Sequence, residues 1–148
     1  MFKIKNELTF TDFKLLSTIK DMYSATYLKQ KGKQQVYGSE IGKFQYVEIN
    51  CQEIAKKMNT DGDIVFERLN FHLNKKYQYT QDDGSIVPLF YFGANNICNG
   101  KHCIRYPYLC AILAQLEDEK RIQNLTFCLS VISIIISIIA ILSKYCFR

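Results

Sequence analysis

The chain has 148 residues, 48% of them hydrophobic and 22% charged, with nineteen basic residues against fourteen acidic and a net charge of +5. This composition excludes an intrinsically disordered chain, and so small a basic excess excludes the strong positive balance of a dedicated nucleic-acid binder. Ten Tyr and ten Phe supply core material for a single domain, and six Cys make the redox compartment a question from the outset.

Met1–Glu7 carries two lysines but no apolar stretch follows, so no export signal is expected there. From Asp12 onward, Phe13, Leu16, Ile19, Met22 and Tyr23 recur at helical spacing behind Thr9 or Thr11 as N-cap. The spacing predicts a helix from about residue 11 to residue 28. The basic segment 29–35, which contains Gly32, reads as a turn. Phe44, Tyr46, Val47 and Ile49 suggest a short extended segment.

Asn50 followed by Glu53 is a capping-box variant with Asn as the cap. It predicts a helix from Cys51 to Met58 that ends at Asn59, a residue type that tolerates left-handed backbone. Thr60 and Asp61 offer the next cap, and Val65, Phe66, Leu69 and Leu73 give a second helix, to Tyr77, its apolar stripe. Tyr77–Thr80 and Ile86–Phe92 flank Asp83-Gly84, a strong hairpin signal. Asn99-Gly100 marks a second turn before His102–Tyr106. Pro107 then opens a helix that is expected to run on without a break.

Leu125–Leu142 has no charge, no Pro and no Gly. Eighteen helical residues span roughly 27 Å, close to the hydrocarbon thickness of a bilayer. Lys120 and Arg121 precede it, and Lys144 and Arg148 follow. The expected architecture is a domain over residues 1–106, a connecting amphipathic helix over 107–124, a transmembrane helix over 125–143 and a short tail over 144–148. Two basic residues flank each end closely, so charge orients the span only weakly. With no export signal expected, the domain is placed in the cytoplasm and the cysteines are expected to be reduced thiols.

Within the span, Thr126, Ser130, Ser133, Ser137 and Ala140 follow a 3.5-residue period and share one helix face. Small residues let helices approach closely in lipid, so this face is expected to be a packing seam with a second copy or a membrane partner. Lipid is the other expected partner.

A short helix, a tight turn, a second helix and a hairpin over about residues 45–92, with the preceding helix as the first of the domain, resemble a winged helix-turn-helix. Ile54, Ala55, Met58, Asn59, Val65 and Leu69 carry the resemblance. Thr60 and Arg68 depart from it, standing where the family is usually more apolar. The fold class it implies is α+β: a small winged-helix-like domain with one or two β-hairpins, followed by the long C-terminal helix. The resemblance also implies that the start of the second helix faces a partner, through Asp61, Asp63, Phe66, Glu67 and Asn70, with Lys75 and Lys76 at its far end. Carboxylates at that place repel a polyanion. The expected function is therefore a membrane-anchored interaction or regulatory protein without catalytic activity. The alternative is a membrane-tethered regulator that binds DNA through the same face.

Cys98, His102, Cys103 and Cys110 are the weak candidates for a metal site, but they lack the paired C-x2-C spacing of a zinc knuckle. No phosphate loop, nucleophile elbow or other catalytic motif occurs, and no cofactor is expected.

Overall fold

The computed structural model describes residues 9–37, 45–92 and 101–146, with the side chains of 33–37 and 144–146 left aside. Its elements are α1 (Asp12–Tyr37), β1 (Tyr46–Glu48), α2 (Cys51–Met58), α3 (Gly62–Glu67), a π segment (Arg68–Leu73), α4 (Asn74–Tyr77), β2 (Tyr79–Thr80), β3 (Ile86–Val87), β4 (Phe90–Tyr91), β5 (Cys103–Arg105) and α5 (Tyr106–Cys146). The class is mixed α and β, with small sheets and a long apolar C-terminal helix. The chain divides into two compact units, Met1–Leu113 and Ala114–Arg148.

In the first unit, α1 runs nine residues beyond the expected end, through the segment read as a basic turn. A glycine inside a helix costs about 1 kcal/mol, and the Lys and Gln around Gly32 are good helix formers, so one Gly without Pro does not stop it. The α2 signals are realised locally. The Asn50 side chain accepts hydrogen bonds from the backbone N–H groups of Gln52 and Glu53. The Asn50 N–H itself goes to the Tyr23 hydroxyl at 2.9 Å, and not back to Glu53. Asn59 takes φ 57°, its N–H reaches the Lys56 carbonyl, and the Thr60 N–H reaches that of Ala55 at 3.0 Å. This is a Schellman closure with Asn in the place that glycine usually fills. Asp61 then caps α3 by accepting from the Asp63 N–H.

The expected second helix, to Tyr77, is present but not uniform. Between α3 and α4 it widens into the π segment. Arg68, His72 and Lys76 project from this stretch, each four residues from the next. All three meet Asp12 at the start of α1: Arg68 at 2.6 Å, Lys76 at 3.2 Å and His72 at 3.4 Å. In an ideal α-helix residues four apart drift round the axis by about 40°, and a π turn, with its longer i→i+5 closure, counters that drift. Arg68, which departs from the apolar pattern, thus has a partner 56 residues away.

The hairpin forms at Asp83-Gly84. The Gly84 N–H bonds to the Gln81 carbonyl, the Gln81 N–H bonds to the Ser85 carbonyl, and Gly84 sits at φ 81°. This is a type I turn closed by a glycine bulge. The segment Ile86–Phe92 does not continue as one strand. Pro88 has no N–H to give a ladder, and the chain changes sheet there. β3 pairs with β2, whereas β4 joins β5, which pairs in turn with β1, every pairing antiparallel. Asn74 holds the new strand in place: its amide donates to the Phe90 carbonyl and accepts from the Phe90 N–H, both at 2.7 Å. The Asn99-Gly100 turn lies outside the described residues.

The core of this unit gathers Leu15, Leu16 and Ile19 of α1, Ile54 of α2, Val65, Leu69 and Leu73 of the second helix, Phe90, and Ile104 of β5, all essentially without exposure. The first turns of α5 belong to it through Tyr106, Leu109, Ile112 and Leu113. Tyr106 stacks on Tyr27 at 4.6 Å and donates to the Lys20 carbonyl at 2.9 Å.

The helix expected from Pro107 begins one residue earlier, at Tyr106, and continues without interruption to Cys146, its part from Ala114 onward making up the second unit. The stretch Tyr106–Ser143 is long and apolar enough to cross a membrane, and none of its most apolar eighteen-residue window is buried.

Burial pushes the Asp12 carboxyl up, but hydrogen bonds and charge from Arg68 and Lys76 outweigh it and hold it below the usual carboxylate range. A carboxyl depressed in the folded state adds stability above its unfolded value of about 3.9, and this is lost as pH falls through the lower folded value. Asp12→Asn should therefore cost about 1–2 kcal/mol at neutral pH and flatten the acid limb of a stability profile followed by denaturant unfolding. Asn74→Leu should cost about 2 kcal/mol at every pH, because it orphans both polar groups of Phe90.

Candidate functional site

The described surface has a cavity of about 290 Å3 where α2, α3 and the ends of β4 and β5 meet. Asn50, Cys51 and Gln52 line it from the start of α2, Gly62, Asp63 and Phe66 from α3, and Phe92 and His102 from the strand ends. Local sequence builds each wall. The Asn50 cap turns the chain so that Cys51 enters α2 against the domain. The Ile49 N–H donates to the His102 carbonyl at 2.9 Å and so extends the β1–β5 pairing to the cavity edge. The Gln52 carboxamide lies over Gly62, where a Cβ would push this flexible side chain aside.

Three rings form the apolar wall. Phe66 and His102 have centroids 5.3 Å apart, Phe66 and Phe92 are 5.1 Å apart, and Phe92 and His102 are 5.1 Å apart. Phe90 backs them from the core at 6.0 Å from Phe66. The Phe92 side chain nevertheless leaves 60% of its surface in solvent.

Cys51 Sγ lies 3.5 Å from His102 Nδ1. Burial pushes the thiol up to about 11 and the imidazole below its usual value. At neutral pH both are uncharged, and the contact is a weak neutral hydrogen bond. A thiol so held is a packing group and a poor nucleophile.

The residues that sequence reasoning placed on a partner surface have divided roles. Asp61 is occupied as the α3 cap, Asp63 and Glu67 are exposed, and Asn70 is half-buried in the π segment. Phe66 does not project freely. It is half-buried in the ring cluster. Lys75 is exposed, whereas Lys76 is committed to Asp12 and lies over the Tyr77 ring.

The metal candidates are not brought together. Cys103 is disulfide-bonded. This corrects the expectation of reduced thiols throughout, and it removes Cys103 as a thiolate ligand. Cys110 is a free thiol on α5, Cys98 lies outside the described residues, and His102 meets Cys51 instead. No group of three or more His, Cys, Asp or Glu side chains among the described residues is placed to hold a metal ion. Sequence reasoning missed Cys51, Gln52 and Phe92 as cavity residues. The one available signal was Asn50 as a cap, because the Cys51–His102 contact joins residues 51 apart.

On the serine face of α5, Thr126, Ser130, Ser133 and Ser137 each donate their hydroxyl to the carbonyl four residues earlier, at 2.8–3.0 Å. Such back-bonding satisfies a hydroxyl in an apolar medium without any second helix.

The chain matches no protein-family model, and no curated protein and no solved structure is significantly similar to it.

Thiol labelling checks the cysteine assignments. In the denatured full-length protein without reductant, Cys51, Cys110 and Cys128 should alkylate while Cys103 should not. Reduction should expose Cys103, and its alkylation before reduction would contradict the disulfide. In the folded protein Cys51 should label far more slowly than in the denatured chain.

Proposed function

We propose that this chain is a membrane-anchored, non-catalytic interaction protein whose N-terminal unit is a winged-helix-like domain. The observation that carries the reading is the apolar stretch of α5, which the protein itself leaves uncovered. Twelve of its eighteen residues from Leu125 are Ile, Leu, Val or Phe. At about −0.3 to −0.6 kcal/mol each, they favour insertion into lipid by several kcal/mol.

The element order supports the winged-helix reading of the first unit: α1, β1, α2, a three-residue turn, α3 and the β2–β3 hairpin in the wing position. Ile54, Ala55, Met58, Val65 and Leu69, which carry the resemblance, are all buried. The α3 start offers Asp63 and Glu67, the wing tip offers Asp82 and Asp83, and Lys76 is held by Asp12. That balance favours a protein partner over DNA.

The span assembles the protein through the face of Thr126, Ser130, Ser133, Ser137 and Ala140. Since its hydroxyl donors are already satisfied, the seam acts by close backbone approach and not by donated hydrogen bonds. The Cys103 disulfide bears on sidedness. Disulfides persist in oxidising compartments, so it supports a domain on the non-cytoplasmic side, opposite to the cytoplasmic placement expected from the sequence.

Three readouts on the full-length protein test this function. In lipid vesicles, Ser133→Leu with Ser137→Leu should abolish the self-association seen by energy transfer between labelled copies. Unchanged transfer removes the seam. In intact cells, a protease added from outside should degrade the domain, and protection restores the cytoplasmic placement. Duplex DNA should not be retained at low salt. Retention that falls on Lys75→Glu, a change that leaves Asp12 paired, would establish the DNA-binding alternative.

A further inference from the structure

The cavity between α2 and α3 has an unusual balance of groups. Among the described residues, Asp63 is its only charged lining residue. No other described residue pairs with the Asp63 carboxylate, whose backbone N–H alone is used, by Asp61. Glu67 stands one turn further along α3, and Asp63, Phe66 and Glu67 at i, i+3 and i+4 share a helix face. The Phe66, Phe92 and His102 rings line the same cavity. Lys101, which lines the adjoining surface beside Asn50 and His102, is tied to Glu48. The Asp63 carboxylate repels an anion here. A wholly apolar ligand would bury Asp63 and the Gln52 amide without partners, which costs free energy.

A cation satisfies every wall at once. It pairs with a carboxylate and lies against aromatic faces, whose ring quadrupoles attract positive charge within about 6 Å. A volume of about 290 Å3 falls just under the usual range for whole small-molecule ligands, and it suits the head of one long side chain. We infer that this cavity receives a lysine or arginine side chain from a protein partner. The assignment rests on the proposal that the α3 face makes protein contacts, and it specifies the chemistry of that contact. The exposed Phe92 ring is then the part of the wall that the partner covers, with Glu67 as a second charge for a basic segment.

The test uses full-length protein in lipid nanodiscs with carbon-labelled Phe and His rings. It is titrated with capped Gly-Gly-Lys-Gly-Gly, its arginine, norleucine and glutamate counterparts, and tetramethylammonium. The lysine or arginine peptide should shift the His102 and Phe92 ring signals saturably, and the norleucine and glutamate peptides should not. Asp63→Asn and Phe92→Leu should each weaken binding about fivefold. The Phe90 signal, which reports the core behind the cavity, should stay in place in both variants. No shift with either basic peptide, an equal shift with norleucine, or full affinity in Asp63→Asn overturns the inference. Binding of tetramethylammonium without either peptide also overturns it and assigns the cavity to a small organic cation. These outcomes are independent of vesicle self-association, protease access and DNA retention, so the site can fail while the anchored interaction protein stands.

Discussion

The apolar surface of α5 is the constraint on which the account depends. A soluble fold would cover such a helix, because each exposed Leu or Ile forgoes about 1.5–3 kcal/mol of burial. Here Ile132, Ile134, Ile135, Ile136, Ile138 and Ile139 are all more than half exposed. The helix satisfies every other requirement of a hydrocarbon environment. Its backbone bonds are internal, its serine hydroxyls return to its own carbonyls, and its charges lie outside the apolar run. Hydrocarbon is the cover we propose for it.

The first unit solves a different problem, that of making a stable body from very short strands. None of the five exceeds three residues, and two- and three-residue ladders hold little by themselves. Side chains do the joining. Asn74 stands in for a strand partner at Phe90, Asp12 ties the start of α1 to Arg68, His72 and Lys76, and Tyr106 docks the start of α5 on α1. These contacts fix α2, α3 and the ends of β4 and β5 around one cavity. The same packing that makes Cys51 and His102 neutral puts Asp63 on the cavity rim with no counter-charge among the described residues.

Legibility in the sequence follows the range of each interaction. Asn50, Asn59, Asp61 and Gly84 act within five residues of themselves, so the caps and the hairpin were readable. The long apolar helix was readable because composition and length alone mark it. Arg68 could not be understood alone, since its carboxylate is 56 residues away, and the cavity was hidden for the same reason. Gly32 misled because one glycine weakens a helix without ending it. The break at Pro88 was missed because an apolar run on both sides hides a change of sheet. The disulfide at Cys103 escaped because the redox state was argued from a leader segment and not from the cysteines.

The most direct measurement is amide hydrogen exchange over Leu125–Leu142 in the full-length protein, compared between lipid nanodiscs and lipid-free buffer. The account predicts that these amides scarcely exchange over hours in the bilayer, and that removing lipid drives the chain into aggregates through this segment. A lipid-free chain that stays monodisperse, with the segment equally protected, would mean that protein and not hydrocarbon surrounds the helix, and it would contradict the account.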